Sequence, residues 1–72
     1  MEKGDILELA GYRWRVEGLL YDCIFVSFAD IASYQTVVKA LKRLEKEYEA
    51  RPLAAYYALI PKQAIEGVDK IE

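Results

Sequence analysis

The stretch DIASYQTVVKALKRLEKEYEAR, residues 30–51, predicts one amphipathic helix that ends before Pro52. Its larger apolar residues recur at steps of three and four and form one stripe: Tyr34, Val37, Val38, Leu41, Leu44 and Tyr48. Asp30 is the preferred N-cap residue and Ser33 the alternative, since either side chain can accept an unpaired N–H of the first turn. The stripe predicts a helix packed on a sheet.

Three strands are predicted before the helix. Ile6 to Leu9 forms the first, and Ala10-Gly11 is the turn because Gly11 tolerates positive φ. Tyr12 to Glu17 alternates apolar and polar residues, which is typical of a strand with one wet face. Cys23 to Phe28 is apolar on nearly every position and predicts the central strand, covered on one side by the helix.

The segment after the helix is harder to assign. LAAYYALI, residues 53–60, has the length of a strand or a short helix. We favour a strand because its Tyr, Leu and Ile residues suit one, although its alanines favour a helix. Residues 65–71 form a last short strand in this scheme. The chain is then a single α+β domain over residues 1–72, with element order β-β-β-α-β-β and a small antiparallel sheet.

Two segments resemble a known class of small barrels. KGDILELAGYRWRVEGLL, residues 3–20, is similar to the opening hairpin of SH3-like barrels, and ALIPKQAIEGVDKI, residues 58–71, resembles their closing strand, turn and last strand. This resemblance implies a sheet that closes wholly or partly into a barrel. The long helix between the third and fourth strands departs from a simple barrel. Because this architecture carries many functions, the resemblance implies no particular activity.

The composition indicates an interaction surface. Apolar residues make up 54% of the 72 residues, which is more than so short a chain readily buries. Tyrosine is apolar with one polar tip and therefore suits interfaces. We predict a protein interface, with a homodimer or a partner protein, at Tyr48, Tyr56 and Tyr57. The alternative is that these tyrosines belong to the core.

A second hypothesis is a nucleic-acid contact through basic residues, namely Arg13, Arg15, Lys39, Lys42, Arg43 and Lys46. The net charge of −2 disfavours a general polyanion binder. Strand alternation also separates Arg13 and Arg15 from the aromatic Tyr12 and Trp14. Three glutamates at positions 45, 47 and 49 largely offset the basic face of the helix.

The chain lacks the residues of the commonest enzyme sites. It has no histidine and one cysteine, so Ser-His-Asp and Cys-His arrangements cannot form within it. Cys23 is interpreted as a small apolar residue rather than a reactive thiol beside Arg13 or Arg15. Asp5, Asp22 and Asp30 are interpreted as turn and cap residues rather than a cation site. We predict no cofactor and no metal.

We therefore expect a small non-enzymatic accessory protein that acts by protein-protein contacts, of the kind that phages and mobile elements encode. The charged start MEKGDILEL has no long apolar segment, and no apolar run approaches the roughly 20 residues of a membrane span. The sequence thus predicts a cytoplasmic protein with no membrane partner.

Overall fold

A five-stranded antiparallel sheet with one α-helix on one side forms the fold, as the predicted α+β class requires. The computed structural model describes residues 1–54 and 56–71. Its elements are β1 (Ile6–Leu9), β2 (Tyr12–Leu19), β3 (Cys23–Phe28), α1 (Tyr34–Tyr48), β4 (Arg51–Pro52) and β5 (Tyr57–Pro61). The order across the sheet is β1-β2-β3-β5-β4, so β3 is the central strand, as predicted.

The β1–β2 hairpin forms as the sequence predicts. Leu9 pairs with Tyr12 across a turn in which Ala10 has φ 56° and Gly11 has φ 83°. Positive φ at both central turn residues matches the right-handed twist of the flanking strands, and glycine reaches it without a Cβ clash. The pairing then brings Leu7 opposite Trp14 on the side of the sheet that faces the core.

The core lies between the sheet and α1. Alternate residues of the inner three strands point into it, and Trp14 is fully buried with its indole N–H donated to the Leu9 carbonyl at 3.0 Å. Its ring meets Phe28 edge-on, with centroids 5.3 Å apart. The sheet residues of the core cluster are Leu7, Leu9, Trp14, Val16, Ile24, Val26, Phe28, Ala58 and Ile60.

The helix begins later than predicted. Ser33 is the N-cap residue, and its hydroxyl accepts the Thr36 N–H at 3.3 Å. The prediction of Asp30 as the N-cap was wrong, and the Asp30 carboxylate instead lies 3.8 Å from the Arg13 guanidinium. Residues 30–33 instead form the connection from β3, since β3 ends at Phe28 and the chain must cross from the sheet to the helix layer.

The buried face of α1 differs from the predicted stripe at Tyr34 and at Val38, which is half-buried and lies outside the core cluster. Val37, Ala40, Leu41 and Leu44 are buried against the sheet. Tyr34 is 62% exposed, so its predicted place in the core was wrong. Tyr34 is the first residue of the helix, where the chain has only just reached the sheet. Ala40 takes an interior position because its small side chain allows close approach.

The segment after α1 contains an element that the sequence did not predict. Glu49 ends the helix with φ 56°, and Arg51 and Pro52 then pair with Leu59 and Ala58 as β4. The predicted strand over residues 53–60 forms only from Tyr57, and Ala55 lies outside the described residues. The predicted strand over residues 65–71 is absent, and Lys62–Ile65 forms a short 3-10 helix that buries Ile65 in the core.

The sheet is open. β1 and β4 are its two edges, and no pairing joins them within residues 1–54 and 56–71. The end of the chain reaches β1 through one backbone bond, from the Ile71 N–H to the Ile6 carbonyl at 2.7 Å. The predicted closure into a barrel is therefore not seen.

Candidate functional site

The side of the sheet opposite α1, here called the open face, carries a group of apolar side chains. Both helical elements contribute to the core on the other side, and no helix of the described residues packs on the open face. The group, here called the apolar patch, comes from β3 and β5 and consists of Cys23, Phe25, Tyr57, Leu59 and Pro61. Four of its members are half-buried, and Tyr57 is 38% exposed.

Strand alternation and register bring the patch together. In β3 and β5, the residues at even positions of the chain point into the core and those at odd positions point away from it. The register sets Phe25 opposite Leu59 and Cys23 opposite Pro61. Phe25 and Tyr57 lie on the diagonal and stack, with ring centroids 5.2 Å apart and planes 15° from parallel. The patch is thus an ordered surface.

A bulge in β2 leaves the flank of Phe25 uncovered. The β2–β3 register shifts between Val16 and Gly18, which places Gly18 opposite Phe25. A Cβ at Gly18 would lie 4.0 Å from the Cβ of Phe25, so a larger side chain here would extend beside the ring. The apolar patch therefore reaches from β5 to the β2 side of Phe25.

A shallow cavity lies at the β4 end of the patch. It has a volume of about 150 Å³ and is lined by Cys23, Glu49, Arg51, Leu59 and Pro61. Pockets for small organic ligands usually measure roughly 300–1,000 Å³. The cavity is thus better suited to one protruding side chain than to a substrate or cofactor.

The thiol in this cavity is poorly suited to nucleophilic chemistry. Partial burial raises the pKa of Cys23, and the negative charge of Asp22 raises it further. The thiol also donates to the Asp22 carboxylate at 3.6 Å, while the cations of Arg51 and Lys62 act weakly in the opposite direction. A raised pKa lowers the fraction of reactive thiolate.

Charges of both signs surround the patch. Arg15 and Glu17 lie on the β2 side, and the Ser27 hydroxyl donates to Glu17 at 2.6 Å. Arg51 and Glu49 lie on the β4 side. At the far corner, Glu8 lies opposite Arg13 in the β1–β2 register. The open face therefore carries three arginines and three glutamates, and Asp22, Asp30 and Lys62 add charges at its ends, so both signs are present in similar numbers.

The structure divides the predicted polyanion residues between opposite sides of the molecule. Arg13 and Arg15 lie on the open face. The basic residues of the helix are exposed on the side of α1 away from the sheet, and they are Lys39, Lys42, Arg43 and Lys46. Arg43 also pairs with Glu47 at 3.0 Å. No single surface contains all six residues.

The predicted tyrosine surface is likewise divided. Tyr57 belongs to the apolar patch, and Tyr56 is 44% exposed in the turn before β5. Tyr48 packs against the core cluster from the end of α1. Only Tyr57 of the three therefore contributes to the patch.

The three aspartates lie apart. Asp5 accepts the Glu2 N–H at 2.8 Å and pairs with Lys70 at 3.6 Å, while Asp22 and Asp30 lie near opposite ends of β3. Among the described residues no group of three or more His, Cys, Asp or Glu side chains is placed to hold a metal ion. No helix of those residues is long and apolar enough to cross a membrane.

Sequence reasoning placed only Tyr57 at an interface and missed the other patch residues, namely Cys23, Phe25, Leu59 and Pro61. The signal was the alternation of β5, where Tyr57, Leu59 and Pro61 share one face once the strand is started at Tyr57. Taking residues 53–60 as the strand placed Pro61 outside it and hid this pattern.

The comparisons with known proteins give no assignment, since no family model, no curated protein and no solved structure matches the chain. The function is therefore inferred from the open face.

Proposed function

We propose that the chain is a small non-enzymatic accessory protein of the cytoplasm that binds another protein chain through its open face. The observation that supports this most is the apolar patch, because it is ordered by the sheet and remains partly exposed on the side that α1 does not cover. Soluble monomers seldom leave large contiguous apolar groups uncovered, and such groups usually mark interaction surfaces.

The composition of the open face suits a protein partner. An aromatic pair and a leucine lie at its centre, and charged side chains lie at its margin, as in protein interfaces with an apolar core and a polar rim. The cavity beside Leu59 can receive one side chain of the partner. Phe25 and Tyr57 support each other and therefore lose little side-chain entropy on binding.

Affinity capture from the native host, with chemical crosslinking before the wash so that a weak complex is retained, tests the proposal with a matched pair of variants. Tyr57→Lys places a charge in the apolar patch, whereas Tyr34→Lys makes the same change at a more exposed tyrosine on the helix side. We expect wild type and Tyr34→Lys to capture the same partner in similar yield. Tyr57→Lys should reduce the yield at least about tenfold, the effect of 1.4 kcal/mol. Equal yield from both variants would contradict the proposal.

One observation favours nucleic acid as the alternative partner. The stacked Phe25 and Tyr57 share the open face with Arg15 and Arg51, and single-stranded nucleic acids bind proteins by stacking on aromatic rings beside basic residues. The three glutamates of the face oppose this reading because they cancel the attraction for phosphate. We therefore rank it second.

Fluorescence anisotropy with labelled single- and double-stranded probes separates the two readings. Nucleic-acid binding would weaken by roughly 0.7–0.9 log units per phosphate contact for each log unit of salt. Arg15→Glu/Arg51→Glu tests the open face, and Lys39→Glu/Lys42→Glu/Arg43→Glu tests the helix face. We expect no submicromolar binding at physiological salt. Submicromolar binding that either variant abolishes would promote the alternative.

A further inference from the structure

We infer that the occupant of the open face is a second copy of this chain, packed face to face as a symmetric dimer. This inference rests on the proposed function and names the partner of the same surface. In a two-fold dimer both copies contribute the same surface, so that surface must be complementary to itself in shape, polarity and charge. The open face has an apolar centre and charges of both signs, which are two features that such a surface needs.

The edges of the sheet are poorly suited to self-association. β4 has two residues, and Pro52 has no N–H to donate to an added strand. β1 is contacted at its outer edge by the Ile71 N–H, which occupies the Ile6 carbonyl at 2.7 Å. Edge-to-edge pairing would require the chain to displace this contact. The open face is therefore the better surface for a second copy.

The charges of the open face favour a partner with the same balance. Its three arginines and three glutamates place both signs on each margin: Glu8, Arg13, Arg15 and Glu17 on the β1–β2 side, and Glu49 and Arg51 on the β4 side. A strongly acidic or basic partner would meet like charges along part of either margin. A second copy brings equal numbers of each sign, and the net charge of −2 per chain gives little general repulsion.

The dimensions of the face limit the strength of the dimer. The open face is about 19 Å wide, measured between the two edge strands of the five, and about 20 Å long, the extent of the six residues of β3. This footprint is smaller than the roughly 800 Å² per partner of a standard interface. Interfaces below the standard size are usually weak and transient, so we expect a micromolar dissociation constant, roughly 10–100 µM, with monomer and dimer in exchange.

Sedimentation velocity of the purified full chain, from about 5 to 500 µM, tests the inference around that expected range. Wild type and Tyr34→Lys should shift from monomer toward dimer with the same midpoint. Tyr57→Lys should move the midpoint at least tenfold higher. Leu59→Lys is the second patch variant, and circular dichroism confirms that each variant keeps the wild-type fold before its result is used.

Two outcomes would overturn the second copy as occupant. The first is a wild-type chain that stays monomeric throughout the range. The second is a dimer whose midpoint neither patch variant changes, which would place the contact elsewhere. The capture experiment distinguishes these failures from failure of the proposed function. If the chain is monomeric but Tyr57→Lys still reduces the yield of a captured protein, the open face binds a different partner and only the dimer is contradicted. If capture is also unaffected, both claims fail.

Discussion

Leu44 and Tyr34 lie on the same helix but differ in burial, so substituting each shows how much burial contributes to stability. Leu44 is fully buried in the core, whereas Tyr34 is mostly exposed. Leu44→Ala should therefore lower the free energy of unfolding by about 2–5 kcal/mol, through lost apolar burial and a cavity. Tyr34→Ala should change it by less than about 0.5 kcal/mol. Urea unfolding followed by circular dichroism measures both, and similar losses in the two variants would show that the helix face is misassigned.

Ser33 fixes the start of α1 by capping it. Ser33→Ala should lower the free energy of unfolding by about 1 kcal/mol, because the Thr36 N–H loses its acceptor. Asp30→Ala is the matched control, and it should cost little since its contact with Arg13 is long and solvent-exposed. Thermal melts of the two variants measure and compare these losses of stability. A greater loss from Asp30→Ala would place the N-cap at the earlier residue.

Cys23 reports on its own surroundings through the pH dependence of its alkylation. Because partial burial and Asp22 raise the pKa of the thiol, the half-maximal rate should occur at higher pH in the folded chain than in urea. Asp22→Asn should shift it down, and Asp30→Asn, near the other end of β3, should leave it unchanged. The measurement uses dilute protein and iodoacetamide. Identical profiles for wild type and Asp22→Asn would show that Asp22 does not act on the thiol.

The same shift fixes the sign of a small effect on stability. The folded chain holds the thiol proton more tightly than the unfolded chain, whose pKa is near the ordinary value of about 8.5. The protonated thiol therefore makes its full contribution to the free energy of unfolding below that pH. This contribution declines as the pH rises through the pKa of the folded state.

Among the elements, the β1–β2 turn depends most on one residue. Gly11 has φ 83°, a conformation that costs other residues about 1–2 kcal/mol. Gly11→Ala should thus lower the free energy of unfolding by about this amount, and its Cβ would also meet the flexible end of Arg43 at 3.3 Å. Gly18→Ala should be tolerated within about 0.5 kcal/mol, because Gly18 has negative φ and adequate space. Equal losses in urea unfolding would contradict this turn geometry.

The elements that the sequence predicts well are those with local signals. β1 and β3 have the predicted bounds because a turn or loop residue stands at each end of an apolar run. The helix register was nearly right because its spacing is regular. The sequence did not predict that the helix ends at Glu49, because the left-handed residue at this end is neither glycine nor asparagine. β4 was missed because two residues carry no periodicity.

The open face could not be predicted because it depends on contacts between distant segments. Cys23 to Phe28 is apolar on both sides, so its sequence cannot indicate which side the helix covers. The stacking of Phe25 on Tyr57 joins residues 32 positions apart in the chain and requires the β3–β5 register. Only the assembled sheet shows that Tyr57 belongs with Phe25 while Tyr48 packs toward the core.

At the scale of the whole molecule, the apolar patch accounts for one part of the apolar excess, while other exposed apolar residues such as Tyr21 and Ile31 lie outside it. In the described residues a single α-helix covers one side of a five-stranded sheet, so the apolar patch on the other side has no helix packed on it. Sheets in small domains are usually stabilised by such a layer on each apolar face. A second copy of the chain would supply it, and the open faces would then form the centre of the dimer.

The rate of Cys23 alkylation at increasing protein concentration tests this account most directly, because the only thiol of the chain lies within the apolar patch. At fixed pH and with reagent in excess, the rate constant should fall as the concentration passes through roughly 10–100 µM. Tyr34→Lys should behave like wild type, and Tyr57→Lys should react at its dilute rate throughout. A wild-type rate constant that does not change up to about 500 µM would contradict the claim that a second copy covers the open face.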